Sequence, residues 1–177
     1  MQLVLDADAF NFLRKLGLLD DLIALARLKP PKLTLHTTRY VARFELQSLQ
    51  SLVEELEKDG TLKVAQLAAS SPAFKLFREL LERYDKGESE LAAWAAKNAP
   101  TAIIVSCDKA VPKLGKELHL QTLDIGELVV VLVKDGLLSE ATAVERLRPW
   151  ENPHTGIGRP TWWKSLKEAL AGPHPLS

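Results

Sequence analysis

The chain alternates short apolar runs with longer stretches whose apolar residues recur every three or four positions. The first run, Leu3-Val4-Leu5, is too short for a helix of its own and suits a buried strand. Residues 7–16 carry Phe10, Leu13 and Leu16 at helical spacing and stop at Gly17, a residue suited to a helix end. Residues 18–28 predict a second helix, opened by Asp20 and Asp21 and closed by Pro30-Pro31. Residues 33–35 read as a brief strand. Thr37 or Thr38 then caps a long helix that runs to Glu57 and ends at Asp59-Gly60. On that helix Val41, Phe44, Leu49, Leu52 and Leu56 form one apolar stripe, and Glu45 falls in the middle of it.

Residues 61–67 read as a strand or an extended loop. Ser71 and Pro72 supply a cap and a first helical position for a helix through Phe74, Phe77, Leu80, Leu81 and Tyr84 to Asp85. Residues 86–90 open an Ala-rich helix to Asn98, with Leu91, Trp94 and Ala95 on its apolar side. Residues 101–106, apolar and β-branched, are the best strand in the chain and lead into Cys107-Asp108-Lys109-Ala110. A small helix follows, with Pro112 near its start and Gly115 near its end, then a strand at 119–123. Asp124 caps an apolar helix over 125–133, and Ser139 caps a last one to Arg148.

The character changes at Trp150, which divides a domain over 1–149 from a tail over 150–177. Residues 151–160 are Pro/Gly-rich and irregular, and 162–170 predict a short amphipathic helix. Trp162 or Trp163 with Leu166 and Leu170 makes an apolar stripe, so the tail is expected to fold back on the domain or on a partner subunit.

Composition narrows the classes. At 177 residues the chain fits one domain with a substantial core, and 46% hydrophobic with 26% charged residues is ordinary for a soluble protein. Lys+Arg and Asp+Glu both number 23, so no global positive field draws in nucleic acid, and any such binding must be local. A single Cys excludes an intrachain disulfide framework and suits a reducing compartment. No apolar run spans a bilayer, which makes a cytoplasmic protein the expectation.

Strands alternating with helices imply an α/β fold, a parallel sheet with helices on both faces. In such a sheet the strands' carboxyl ends gather at one edge, where ligands bind. Asp6 and Asp108 end strands there. Glu88 and Glu90 lie in the first turn of the helix that starts at that edge, where an acid also complements the helix dipole. Glu45 comes two turns into the helix after the 33–35 strand. Each acid alone has an ordinary explanation, yet four project toward one region. Clustered carboxylates repel and raise each other's pKa unless a positive ion lies among them, and hard oxygen ligands favour Mg²⁺ or Mn²⁺.

The constellation resembles the PIN-domain family of metal-dependent ribonucleases, which includes many toxins of toxin–antitoxin pairs. The matching stretches are Leu3-Val4-Leu5-Asp6-Ala7-Asp8-Ala9-Phe10, Thr38-Arg39-Tyr40-Val41-Ala42-Arg43-Phe44-Glu45-Leu46, Gly87-Glu88-Ser89-Glu90-Leu91-Ala92-Ala93-Trp94-Ala95 and Ile104-Val105-Ser106-Cys107-Asp108-Lys109-Ala110. They cover residues 1–135. The resemblance implies a three-layer α/β/α domain with a mostly parallel sheet of four or five strands, the Leu3 strand central beside the Ile103 strand. It implies Asp6, Glu45, Glu90 and Asp108 as catalytic metal ligands for Mg²⁺ or Mn²⁺. Asp8, Glu88 and Ser106 stand in support. The family often has Asp at the third position, where this chain offers Glu88 or Glu90; the position relative to Leu91-Ala92-Ala93 favours Glu90. Cys107 fills a place often acidic in relatives. Arg14, Arg39, Arg43 and Lys109, beside the acidic motifs, are the candidate RNA contacts. An antitoxin partner and a homodimer belong to the same resemblance.

Two other readings compete. Asp6-Ala7-Asp8 after an apolar strand also looks like the first motif of haloacid-dehalogenase-type phosphatases, with Asp6 as nucleophile and Asp8 as acid/base. No convincing lysine motif followed by paired acids accompanies it, and Glu45 is left unexplained. A non-catalytic PIN-like scaffold that binds RNA or a protein is the third.

Overall fold

The computed structural model describes residues 1–151 and 158–176. Strands β1 (Gln2–Leu5), β2 (Thr34–Thr38), β3 (Leu62–Ala65), β4 (Ile103–Val105) and β5 (Gln121–Leu123) form one parallel sheet in the order β3-β2-β1-β4-β5. The Leu3 strand is central as expected: Leu3 pairs with Leu35 on one side and with Ile103 on the other.

Because side chains alternate across a strand, each strand feeds two cores. Leu3, Leu5, Leu35, Ile103 and Val105 face one way, against α1 (Ala7–Lys15), α2 (Leu18–Arg27), α3 (Gln50–Lys58), α7 (Ile125–Lys134) and α8 (Glu140–Glu151). Val4 and Ile104 face the other, against α4 (Pro72–Leu80), α5 (Lys86–Asn98) and α6 (Ala110–Leu118). The result is the expected three-layer α/β/α domain. Each fully buried Leu or Phe in these layers contributes about 1.5–3 kcal/mol by leaving water.

Several boundaries differ from the sequence reading, each for a local reason. The long helix over 38–57 does not exist as one piece. Thr37 and Thr38 belong to β2, where the Thr37 hydroxyl donates to Leu5 O at 2.8 Å. A π-helical turn, Val41–Glu45, and a 3₁₀ turn, Gln47–Leu49, then precede α3. The wider π turn, closed by Leu46 N–H on Val41 O at 3.0 Å, rotates Phe44 out of the apolar stripe. Phe44 is 60% exposed and stacks on Tyr40. Ser71 does cap α4, but that helix stops at Leu80, short of Asp85. Strand β4 stops at Val105, leaving Ser106-Cys107-Asp108 in the following loop. His119 is not in a strand; it closes α6 in the left-handed region at φ 55°. Gly115 lies near the end of α6 as expected, and a Cβ there would stand 2.4 Å from Thr122 Cγ2.

The tail folds back on its own domain. Helix α8 runs through Trp150 to Glu151, so the expected boundary at 149/150 falls inside a helix. The expected irregular stretch 151–160 lies, over 152–157, outside the described residues. Helix α9 (Leu166–Ala171) is shorter than expected and begins after both tryptophans. Trp163 and Leu166 are buried in the main core, and Trp163 packs edge-on against Trp150. Gly126 of α7 makes room for Trp162 and Trp163, since a Cβ there would stand 2.8 Å from Trp163 and 2.9 Å from Trp162. Among the described residues no helix is long and apolar enough to cross a membrane.

Candidate active site

At the carboxyl edge of the sheet, chain turns after β1, β2 and β4 and the start of α5 meet around a cleft of about 380 Å³. Its walls carry Asp6, Asp8, Asn11, Glu45, Asp85, Glu88 and Asp108, with no Lys, Arg or His among them.

Asp6 leaves β1 as the N-cap of α1, its Oδ1 accepting from Ala9 N–H at 2.6 Å. It is buried, and burial pushes its carboxyl up to about 6; the Ser106 hydroxyl and Ala9 N–H pull it down, and Asp8 and Glu45 push it further up. Ser106 also accepts from Asp108 N–H at 3.0 Å, so one hydroxyl ties the two strand-end acids together. Asp108 in turn accepts from Ala110 N–H at 2.6 Å, which fixes the turn into α6. Asp8 is exposed in the first turn of α1, where the helix dipole favours an acid.

Glu45 is the last residue of the π turn, which lifts it off the buried stripe of Val41, Ala42 and Leu46 toward the cleft. Its pKa is raised by partial burial first, then by Asp8, Asp85 and Glu90. Glu88, in the first turn of α5, is pushed up to about 7, by burial first and then by the charges of Asp108, Asp85 and Asp6. The neighbouring Asp108 carboxyl thus favours the protonated form of Glu88.

Glu90 is placed differently from the expectation. It accepts from Tyr40 N–H at 2.8 Å, holding the turn after β2, and is not part of the cleft wall. Glu88 takes the cleft position instead. Two residues along a helix point about 200° apart, so only one can face the cleft. Among the candidate RNA contacts, Arg14 lies in the last turn of α1, the far end from Asp8. Arg43 is engaged by Glu57 at 2.5 Å. Arg39 and Lys109 are exposed near the cleft, directly after Thr38 and Asp108. Cys107 is exposed between Ser106 and Asp108.

Two cleft residues were not anticipated. Asp85 reads in sequence as a helix end, and it sits at the N-cap of α5 without capping it. Asn11 is uncharged and one turn on from Asp8 and Ala7, a spacing that would have placed it on their face.

A cation fits this chemistry: hard oxygen donors, no resident counter-charge, and three carboxyls held above their ordinary range. Among the described residues no three acid, His or Cys side chains are drawn tightly enough to grip a metal ion as they stand. Like charges with nothing between them do stand apart. No protein-family model, curated protein or solved structure matches the chain.

Proposed function

We propose that the chain is a metal-dependent endoribonuclease, as its resemblance to PIN domains implies. The observation that carries this reading is the cleft itself: acids from β1, the π turn, α5 and the β4–α6 turn line one wall with no basic side chain among them. In this reading Asp6, Glu45, Glu88 and Asp108 hold Mg²⁺ or Mn²⁺, with Asp8 and Asp85 at the rim. The bound ion supplies an activated water for in-line attack and charge neutralisation at the phosphodiester.

The chain's own residues do the positioning. Ser106 holds the Asp108 turn through the Asp108 N–H and favours the charged form of Asp6. Glu88, pushed up to about 7 by burial and by the charge of Asp108, holds a proton in the metal-free cleft and would release it to serve as a ligand. Glu90 serves through Tyr40, holding the turn that leads to Glu45. Arg39 and Lys109 are exposed cations at this edge for the RNA backbone. Asp6 is buried and tied to Ala9 N–H, which suits a fixed ligand better than a nucleophile that must swing onto phosphorus. A toxin role, an antitoxin partner and a homodimer come with the same resemblance.

The deciding experiment is cleavage of single-stranded RNA with Mg²⁺ or Mn²⁺ and with EDTA, beside hydrolysis of a small phosphomonoester. Metal-dependent RNA cleavage alone is expected. Phosphomonoester hydrolysis without RNA cleavage points to the phosphatase, and neither activity points to a binding scaffold.

A further inference from the structure

Beside the acidic cleft lies a second cavity of about 400 Å³, closed on one side by the returning tail. It shares Asp8 and Asp108 with the cleft, so the two are contiguous. Its volume falls within the roughly 300–1,000 Å³ of small-ligand sites. We propose that this cavity is a nucleobase subsite for single-stranded RNA, seating the base next to the phosphate held at the acidic cleft. The proposal rests on the ribonuclease reading above and adds a substrate requirement to it.

Four observations converge. The lining differs from that of the cleft: beside Asp8, Asp108 and Asp124, Phe12, Pro112, Ile125 and Trp162 give apolar and aromatic surface, and Lys109 and Arg159 bring positive charge that the cleft wall lacks. Neither cation has an ion pair among the described residues. Trp162 is 45% exposed, yet its indole is pinned. Its Nε1 donates to Asp124 at 2.6 Å, and its ring meets Trp163 at 5.4 Å between centroids. Asp124 divides its oxygens, one capping α7 on Glu127 N–H and the other holding this indole. An aromatic face that is both exposed and immobilised is a preformed stacking platform.

A base supplies the complementary partner, apolar on its faces and tethered to a phosphate that the cations attract. Paired bases have their faces already stacked, so the occupant is single-stranded. The polyanion also needs positive charge somewhere, and the cleft wall has none.

The test uses the full chain with metal chelated by EDTA, so that nothing is cut. Binding is read from the fluorescence anisotropy of a dye-labelled short single-stranded oligoribonucleotide, of the same strand made abasic at one position, and of a duplex, with tryptophan quenching followed alongside. Trp150 and Trp163 are buried and Trp94 is half-buried against His36, so the part of the quenching that Trp162→Phe abolishes reports on Trp162. The base-bearing single strand is expected to quench and to bind about tenfold tighter than the abasic strand or the duplex. Trp162→Ala should lose that tenfold preference and Trp162→Phe should recover most of it. Equal binding of base-bearing and abasic strands overturns the proposal, as does a folded Trp162→Ala chain with unchanged preference. Should the alanine variant fail to fold, the abasic comparison on the wild-type chain decides. Cleavage plays no part in this readout. A chain that cuts RNA without base preference loses only the subsite; one that binds bases without ever cutting keeps the subsite and loses the nuclease.

Discussion

The carboxylate of Glu45 rests directly on Gly87. A Cβ built at Gly87 would stand 2.5 Å from Glu45 Oε1 and 2.6 Å from Oε2, so the acid reaches α5 only because that helix has no side chain there. Gly87→Ala should therefore push Glu45 aside while favouring the helix by about 0.5–1 kcal/mol. Metal-dependent RNA cleavage is expected to fall by about tenfold or more, with an unchanged or slightly higher melting temperature. Rates and melting curves on one preparation check this; undiminished cleavage would separate Glu45 from the chemistry.

Asp6 and Asp108 each accept a backbone N–H, a purely structural duty that Asn performs equally well. Asp6→Asn and Asp108→Asn are thus expected to keep or raise the metal-free melting temperature, since each removes one of several crowded charges. Cleavage should drop by roughly 100-fold, because ligand placement sets the in-line geometry. Variants that cut RNA normally, or melt well below wild type without metal, would mark these acids as scaffolding.

The raised carboxyls set a pH dependence of stability. Glu88, at about 7 against an ordinary 4.5, holds a proton when folded that the unfolded chain has released. The metal-free protein therefore loses stability as pH rises from about 4.5 to 7, and the penalty is complete above that. Asp6 acts in the same direction between 3.8 and about 6. His36, pushed down to about 4 by burial beside Lys63, acts oppositely below its ordinary 6.5. Comparing Glu88→Gln with wild type in EDTA largely cancels the last two. The variant should melt higher at pH 8, by on the order of 5 °C, and match wild type near pH 4.5. A gap that does not close on acidification would show that Glu88 is not the group responsible.

Trp163 sits between Trp150 and Trp162 and is 6% exposed, whereas Lys164 beside it is exposed. Trp163→Ala is expected to cost about 3–5 kcal/mol in urea unfolding, against near zero for Lys164→Ala. Similar midpoints for the two variants would mean that the tail adds little to the domain's stability.

The sheet was legible because its central strands are short, apolar and bounded, and the acids at their ends are expensive to bury without purpose. The π turn was not, because one extra residue in a helical turn has no compositional signature. At an ideal 100° per residue Glu45 falls on the apolar stripe; the wider turn lifts it clear. The choice between Glu88 and Glu90 depends on how α5 is rotated. That rotation is set by Trp94, one turn from Glu90, stacking on His36 of β2 at 5.2 Å. Sequence spacing cannot supply that contact. The second cavity was invisible for a similar reason, since Trp162 and Arg159 reach it only through the path of the tail.

The order of strands also fixes when the cleft comes into being. Strand β1 gains its first neighbour at Leu35, but its second waits for Ile103. At about 5–20 residues per second of ribosomal synthesis, the chain spends roughly 3–14 s with one flank of β1 bare. By the end of that interval the nascent chain carries Asp6, Asp8, Glu45, Asp85 and Glu88. It lacks Val105 O, which takes the Asp6 N–H at 3.2 Å, and the Ser106–Asp108 turn. The acids made first are thus gathered last, and the ribosome releases the cleft only when the second half of the sheet has emerged.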